Sequence, residues 1–391
     1  MSQQSTKSKR IALLPQIGVL TLTRIAMNTS FRMVYPLLPI FTTELGVDVA
    51  TFSILLTVLQ LLGLTAPVFG QLSEREGRRF TMLFGVVTYT AGMLLVFVSP
   101  NFVGFASALI VASLGKIAFD PALQAYVGDR VPYERRGFYL GLLEVGWAGA
   151  YFIGVPIVSW LLATASWQAP FIALASVTGI LLIVLFFMLD HDKPLERKQI
   201  SFWRGLRMAI NSPMAIAGLA LGAGISGANQ LVSVVFGLWI ADSFGIQLTA
   251  LAIASTVIGI SELSGEGIVT ILSDRFGKRR MIILSILGNI VVCLLLPFAN
   301  ITLTIALIGL FCFYLTFEIA LVATIPLASE LNPDARGMYL TIFVSAVTLG
   351  RTIATPLSTT IYDFGLLANT IGAIGFNLIA LIAVWRFIRV Q

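Results

Sequence analysis

Charge is scarce in this chain of 391 residues: Asp, Glu, Lys and Arg together make up 11%, against 57% hydrophobic residues. A soluble fold of this length would need far more charged surface, so a water-soluble globular protein is excluded. Histidine occurs once and cysteine twice. The lone His191, in a polar stretch, has no companions for a metal cluster or a nucleophilic triad. Cys293 and Cys312 sit inside apolar runs and read as small packing residues, neither a disulfide nor a metal site. There is no P-loop, and Gly265-Glu266-Gly267 is too short to cradle a phosphate, so ATP is not the expected energy source. Neither an enzyme nor a cofactor or metal is expected.

What the chain has in abundance is long apolar runs, and its mean hydropathy is +0.93. Phe171 to Leu189 and Leu366 to Val384 carry no charge and reach the roughly 18 residues that mark a membrane-spanning helix. Neither shows the polar stripe of a soluble amphipathic helix. Reading apolar runs between charged or turn-rich breaks predicts twelve spans, with cores at 12–40, 50–72, 81–99, 102–128, 137–163, 169–189, 213–241, 248–272, 281–299, 302–328, 337–361 and 366–387. Prolines 67, 121, 156, 326 and 356 interrupt spans, which membrane helices tolerate when neighbours satisfy the freed backbone. The basic start followed by an apolar stretch looks like a signal peptide only at first sight. The stretch is too long and lacks a small-residue cleavage site, so a retained first helix is expected.

Basic residues fall on alternate loops. Lys7, Lys9 and Arg10 precede span 1; Arg75, Arg78 and Arg79 follow span 2; Arg130, Arg135 and Arg136 follow span 4. Lys193, Arg197, Lys198, Arg204 and Arg207 lie between spans 6 and 7, and Arg275, Lys278, Arg279 and Arg280 follow span 8. The other loops hold only acids, among them Glu44, Asp48, Asp242 and Asp363. The positive-inside rule then places both termini and the central linker in the cytoplasm. The net charge of +6 is thus a topology signal, and no nucleic-acid partner is expected.

The chain also repeats itself. Leu72-Ser73-Glu74-Arg75-Glu76-Gly77-Arg78-Arg79 returns two hundred residues later as Leu272-Ser273-Asp274-Arg275-Phe276-Gly277-Lys278-Arg279. The same offset carries Arg136-Gly137-Phe138-Tyr139-Leu140 onto Arg336-Gly337-Met338-Tyr339-Leu340, and Pro156 onto Pro356. One register over three matches points to a duplicated bundle, an architecture typical of transporters. The expected organisation is a cytoplasmic tail at 1–11, a six-helix half at 12–189, a cytoplasmic linker at 190–212 and a second six-helix half at 213–391.

The stretch from Gly70 to Arg79 resembles the loop between helices 2 and 3 of the major facilitator superfamily, written G-x-L-x-D-R-x-G-R-R. The second copy keeps the Asp274-Arg275-x-Gly277-Lys278-Arg279 core but has Thr270 in place of the glycine. The resemblance covers essentially the whole chain. It implies an all-α membrane protein of twelve transmembrane helices in two pseudo-symmetric six-helix halves. It further implies that Glu74 packs at the cytoplasmic start of helix 11, complementing its N-terminal partial charge. Arg78 would reach Asp129 at the end of helix 4, and together these contacts would clamp the halves in the outward-facing state. The alternative is that the loop charges only enforce topology. In helix 5, Gly146, Gly149, Gly154 and Pro156 resemble the glycine-proline pattern of the drug:proton antiporter branch, with Ser159 and Trp160 where its terminal glycine pair would be. Small residues so spaced also serve plain helix packing.

Nine ionisable residues fall inside spans: Arg24, Arg32, Lys116, Asp120, Glu144, Glu262, Glu266, Glu318 and Arg351. Each costs roughly 2.5–3.5 kcal/mol at a helix centre, so they should face one another or a cavity. Arg24, Asn28 and Arg32, spaced by four, share one face of helix 1. The resemblance implies that helices 1, 4, 7 and 10 line a central cavity. Lys116 and Asp120 can pair along helix 4, or Asp120 can turn to Arg24 or Arg32. Glu262, Glu266 and Glu318 appear least neutralised, with only Arg351 near them in the second half. They are the leading candidates for proton coupling. Asp120, held ionised by Lys116 or an arginine, is the candidate for gating or substrate coupling. With Glu144, Arg24, Asn28, Arg32, Lys116 and Arg351 these four acids make up the candidate set for coupling or substrate contact, against static pairing. Arg24 and Arg32 favour an anionic or polar headgroup, which counts against a carrier of cationic drugs. Aromatic and amide residues, among them Phe31, Tyr35, Trp147, Tyr151, Asn229, Gln230, Tyr314 and Phe317, suit an amphipathic solute, though packing is the commoner role of such aromatics. The leading reading is a monomeric secondary transporter of the cell membrane, the inner one in a bacterium. It would move a small solute by alternating access, with proton-coupled export. A symporter, a sugar, organic-anion or lipid carrier of the same fold, and a non-transporting sensor or scaffold remain alternatives.

Overall fold

The computed structural model describes residues 13–131, 133–190, 212–332 and 336–388, with the side chains of 133–137, 140, 274 and 336–338 left aside. The predicted basic tail, nearly all of the linker and His191 lie outside the described residues. Every regular element described is a helix: α1 (Leu13–Arg32), α2 (Leu38–Leu45), α3 (Val49–Leu62), α4 (Ala66–Arg75), α5 (Arg78–Val98), α6 (Phe102–Arg130), α7 (Tyr133–Gly149) and α8 (Val155–Thr164). There follow α9 (Ala169–Met188), α10 (Pro213–Ser233), α11 (Phe236–Phe244), α12 (Leu248–Phe276), α13 (Lys278–Leu295), α14 (Leu303–Ala328), α15 (Arg336–Tyr362) and α16 (Leu366–Ile382). Among the described residues, eleven helical stretches are long and apolar enough to cross a membrane. The twelfth expected span, α1, is twenty residues long but carries Gln16, Arg24, Asn28 and Arg32, all buried. Its polar groups depend on the rest of the bundle for their partners.

Polar side chains start several helices by accepting the amides that lack an intrahelical partner. Asp48 accepts from the Thr51 amide, Asn101 from Val103 and Gly104, Ser212 from Ala215 and Thr302 from Ile305. Proline accounts for most of the internal irregularities. Before Pro67 the second span tightens into a 3-10 turn at Gly63–Thr65. Before Pro156 the fifth widens into a π turn at Ala150–Gly154, where the Val155 amide bonds Ala150 and proline offers no donor to continue the ladder.

The first predicted span, 12–40, is corrected: it is two helices, α1 and α2, separated by a turn at 33–37, because Pro36 and Pro39 withdraw two donors. The seventh, predicted at 213–241, breaks likewise into α10 and α11 at the β-branched pair Val234-Val235. The two breaks fall in the same repeat register and meet each other. A Cβ on Gly237 would lie 2.5 Å from the Pro36 carbonyl oxygen and 2.6 Å from that of Tyr35, so only glycine allows this approach. Beside it, the Thr359 hydroxyl donates to Ser53 Oγ at 2.8 Å, joining α15 to α3. At mid-depth Gly259 of α12 abuts the backbone of Phe152 and Ala148. The two six-span sets are therefore joined at the end carrying Glu44, Asp48, Asp242 and Asp363. Toward the basic end, the Glu144 side chain is 44% exposed.

This seal predicts a conformational bias. In a background without Cys293 and Cys312, the pair Ser53→Cys and Thr359→Cys should cross-link readily under mild oxidation. Adding Gly237→Ala should lower the yield severalfold by wedging the two helix breaks apart. Equal yields with and without that substitution would show the approach at Gly237 to be unimportant.

A central cavity and its charge pairs

The polar face of α1 is satisfied by the backbone of α7. Arg24 Nη1 donates to the Leu143 carbonyl at 2.8 Å, Asn28 Nδ2 to Gly146 at 2.9 Å and Arg32 Nη1 to Trp147 at 3.0 Å. The spacing of four residues sets these donors one turn apart, facing successive carbonyls. Small residues let the helices come this close. A Cβ on Gly146 would touch the Arg24 side chain at 3.1 Å, and one on Gly154 would overlap Thr29 Oγ1 at 1.9 Å. In this structure the glycine pattern of the fifth span thus does packing work against α1.

Among the described residues, four ion pairs in two clusters fill the interior. Arg24 Nη1 bonds Glu144 Oε1 at 2.9 Å, and its Nε lies 3.4 Å from Asp120 Oδ1 without hydrogen-bond alignment. Lys116 bonds Asp120 one turn along α6 and lies 5.3 Å from the Trp147 ring centroid. Arg32 forks onto Glu262, with Nη1 2.7 Å from Oε2 and Nη2 on Oε1. This last pair joins α1 to α12, hence the first six spans to the second. The Arg32 guanidinium carbon also sits 3.8 Å from the Tyr151 ring centroid and 4.7 Å from that of Trp147. Two expectations are corrected here. Glu262 is not among the unneutralised acids, because its cation comes from the first half. Arg24 and Arg32 are not free for an anionic headgroup, because acids already occupy them.

The Arg32–Glu262 pair and Lys116 border a cavity of about 190 Å³ inside the bundle. Arg32, Lys116, Glu262 and Arg351 line it, with aromatic walls from Phe31, Trp147, Tyr151, Tyr314 and Phe317. Tyr35 joins its polar side, its hydroxyl accepting from Gln60 Nε2 at 2.9 Å, while Gln230 donates to Thr355 Oγ1 at 3.0 Å. Ser233 bonds the Tyr314 hydroxyl at 2.8 Å. Glu266 and Glu318 do not line the cavity. Glu318, 5% exposed, lies against Gly265 where α12 meets α14. Among the described residues, the carboxyl groups of Glu266 and Glu318 form no ion pair and accept no hydrogen bond. The wall aromatics were legible in sequence; Gln60, Ser113, Ser233 and Thr348 were not, since an isolated polar residue in an apolar helix looks the same facing a cavity or a neighbouring backbone.

At the basic end, the twin loops build twin structures. Gly77 and Gly277 open α5 and α13 with φ of 96° and 79°, which explains glycine at that place in both copies. Arg78 Nε lies 3.4 Å from Asp129 Oδ2 and its Nη1 bonds Ser73 Oγ at 3.0 Å; in the second copy Lys278 bonds Glu330. Arg79 bonds the Phe186 carbonyl at the end of α9, and Arg279 bonds the Val384 and Trp385 carbonyls beyond α16. The pairing of Lys278 with Glu330 was not anticipated; the repeat register, shifted by one residue from Asp129, was the available signal. Arg75 and Arg275 are exposed. A Cβ on Gly70 would meet nothing within 4 Å. The expected contact of Glu74 with the start of helix 11, and the side chain of Asp274, fall on side chains outside the description.

A family model described as Major Facilitator Superfamily matches residues 20–237 and 219–391. Among curated proteins, an uncharacterized MFS-type transporter of Bacillus subtilis, YwfA, is 25% identical over 92% of this chain and 90% of its own length. The multidrug resistance protein MdtG of Serratia proteamaculans is 27% identical over 70% of this chain and 68% of its own. Among solved structures, a bacterial homolog of the human lysosomal transporter Spinster, in an inward-facing and unoccupied conformation, superposes with a TM-score of 0.77 at 12% identity, covering 95% and 96% of the two chains. The human organic anion transporter MFSD10 gives a TM-score of 0.72 at 16% identity, covering 94% and 98%.

The fork between Arg32 and Glu262 is buried on both sides, at 6% and 1% exposure. Removing one partner strands the other charge, at a cost of about 3–5 kcal/mol, whereas removing both costs less. Arg32→Gln and Glu262→Gln should each lower the thermal midpoint of purified protein markedly, and the double variant should recover part of the loss. Additive losses would mean that the two residues act independently.

Proposed function

This chain belongs to the Major Facilitator Superfamily, and we propose that it exports a small amphipathic solute from the cytoplasm in exchange for protons, working as a monomer. The family and its transporter relatives make it a membrane transporter of a small-molecule substrate. Direction and coupling rest on the charges. The basic loops set the end of Arg75–Arg79 and Arg275–Arg280 in the cytoplasm, with both termini. The seal at Gly237 then closes the outer end, which corresponds to an inward-facing state.

The observation that carries the coupling is the uneven pairing of acids. Glu144, Asp120 and Glu262 hold cations; Glu318 does not, and it is buried within electrostatic range of both Arg32 and Arg351. An ionised Glu318 competes with Glu262 for Arg32, while a protonated one leaves that pair intact. Proton binding from outside therefore strengthens the bond between the halves and favours the inward-facing state. Proton release to the cytoplasm loosens that bond, so the carrier can turn outward with solute aboard. Glu266 lies one turn nearer the basic end than Glu262 on α12, with Glu144 and Glu262 in electrostatic range, and is suited to pass the proton onward. Arg78 with Asp129, and Lys278 with Glu330, hold the cytoplasmic loops in shape for the outward-facing clamp. There Gly70 and Glu74 meet the start of α15.

Proteoliposomes with an internal pH-sensitive dye and a panel of aromatic acids, amides and amines test this. Glu318→Gln should abolish acceleration by a pH gradient while leaving gradient-free exchange within about twofold. Equal loss in both assays would move Glu318 from coupling to binding or folding. Arg78→Ala, losing a charged hydrogen bond, should slow flux about tenfold with expression retained. Unchanged flux would remove the loop from the gate.

A further inference from the structure

The interior charges do not cancel evenly. Arg24, Lys116 and Arg32 each hold an acid, but Arg351 on α15 does not. Among the described residues no carboxylate lies within 4.0 Å of its guanidinium and no hydrogen bond leaves it, and its Nε is buried without a partner. The charged or titratable groups in electrostatic range are Tyr35, Arg32, Glu318 and Glu262. Of these, Glu262 is forked onto Arg32 and Glu318 stands off the cavity wall. The two unpaired acids of the interior thus lie behind the wall, while the unpaired cation lies on it.

An unpaired guanidinium in a membrane interior is costly, and an entering anion removes that cost. The planar fork of Arg matches a carboxylate by two parallel hydrogen bonds. Arg32 is already saturated by Glu262, the Trp147 carbonyl and two aromatic faces, and Lys116 is held by Asp120. A cationic solute would find on this wall only Glu262, which is engaged. The remaining surface, from Phe31, Trp147 and Phe317, offers rings for an apolar body.

We propose that the cavity selects amphipathic organic anions, with Arg351 as the residue that binds the carboxylate and so sets charge specificity. The proposal rests on reading this cavity as the transport site, but it does not depend on proton coupling. An anion leaving and a proton entering both carry charge in the same electrical direction, so an inside-negative membrane potential drives both.

Equilibrium binding of 2-naphthoate, 2-naphthamide and 2-naphthylmethylamine to the purified full chain tests it, since the three share a ring system and differ in charge. Naphthoate should bind about tenfold or more tightly than the amide, with the amine weakest. Arg351→Gln should erase the gap between acid and amide, and Arg351→Lys should keep part of it. Thermal unfolding of the Arg351→Gln protein supplies the readout that separates binding from architecture. A binding residue leaves the midpoint unchanged or raises it, because an unpaired charge in the membrane interior is gone; a structural partner lowers it by several degrees. No binding of naphthoate, equal binding of the three probes, an acid preference that survives Arg351→Gln, or a lowered midpoint would each overturn the proposal. If the preference fails while Glu318→Gln still uncouples flux from the pH gradient, the anion site alone falls. If the preference holds and coupling is absent, proton exchange alone falls.

Discussion

The bond between Arg32 and Glu262 is the constraint around which the rest of the interior is arranged. Among the described residues it is the ion pair that crosses from the first six spans to the second, and both partners are buried. A pair so placed contributes little net stability, since desolvation offsets most of the attraction. Its value lies in what it excludes. Once Glu262 holds Arg32, and Trp147 and Tyr151 cover the guanidinium, neither group is available to solute. Discrimination passes to whatever charge is left over. The two sets of helices are also tied at mid-membrane depth by something a neighbouring charge can weaken, which apolar packing would not allow.

Duplication explains the scaffold, and departure from duplication explains the chemistry. Twin glycines at positive φ, twin arginines capping the last helix of each set, and twin breaks in the first and seventh spans all follow one register. These features depend on backbone geometry, which a copied sequence reproduces. The interior charges follow no such rule: Lys116 corresponds to Thr316, Asp120 to Ala320 and Arg351 to Tyr151. Tyr151 stacks on Arg32, while its counterpart Arg351 stands alone, so one register position serves opposite purposes in the two copies.

Much of this was legible in the sequence. Apolar runs, loop charges and the repeat gave the helices and a duplicated bundle, and the family came from the resemblance of Gly70 to Arg79 to its loop motif, because each is written in local pattern. The shared face of Arg24, Asn28 and Arg32 followed from spacing alone, and the structure adds the partner helix. What could not be read was pairing across the bundle. Glu262 and Arg32 lie 230 positions apart, and no periodicity links them. Treating each half's charges separately therefore offered Glu262 only Arg351 as a cation and Arg32 only Asp120 as an acid. The break at 33–37 was also missed, although Pro36 and Pro39 mark it, because the flanking residues remain apolar.

The polarity of α1 has a consequence for biogenesis. On emerging from a ribosome, before the rest of the bundle exists, the helix is a poor candidate for stable insertion, with two arginines and an asparagine facing lipid. Its partners on α7 arrive four spans later, and Glu262 later still, after most of the chain has been made. The first helix must therefore be sheltered within the insertion machinery, or re-enter the bilayer once α7 is in place. Membrane integration and tertiary folding, separable stages for a uniformly apolar bundle, become for this chain a single coupled process.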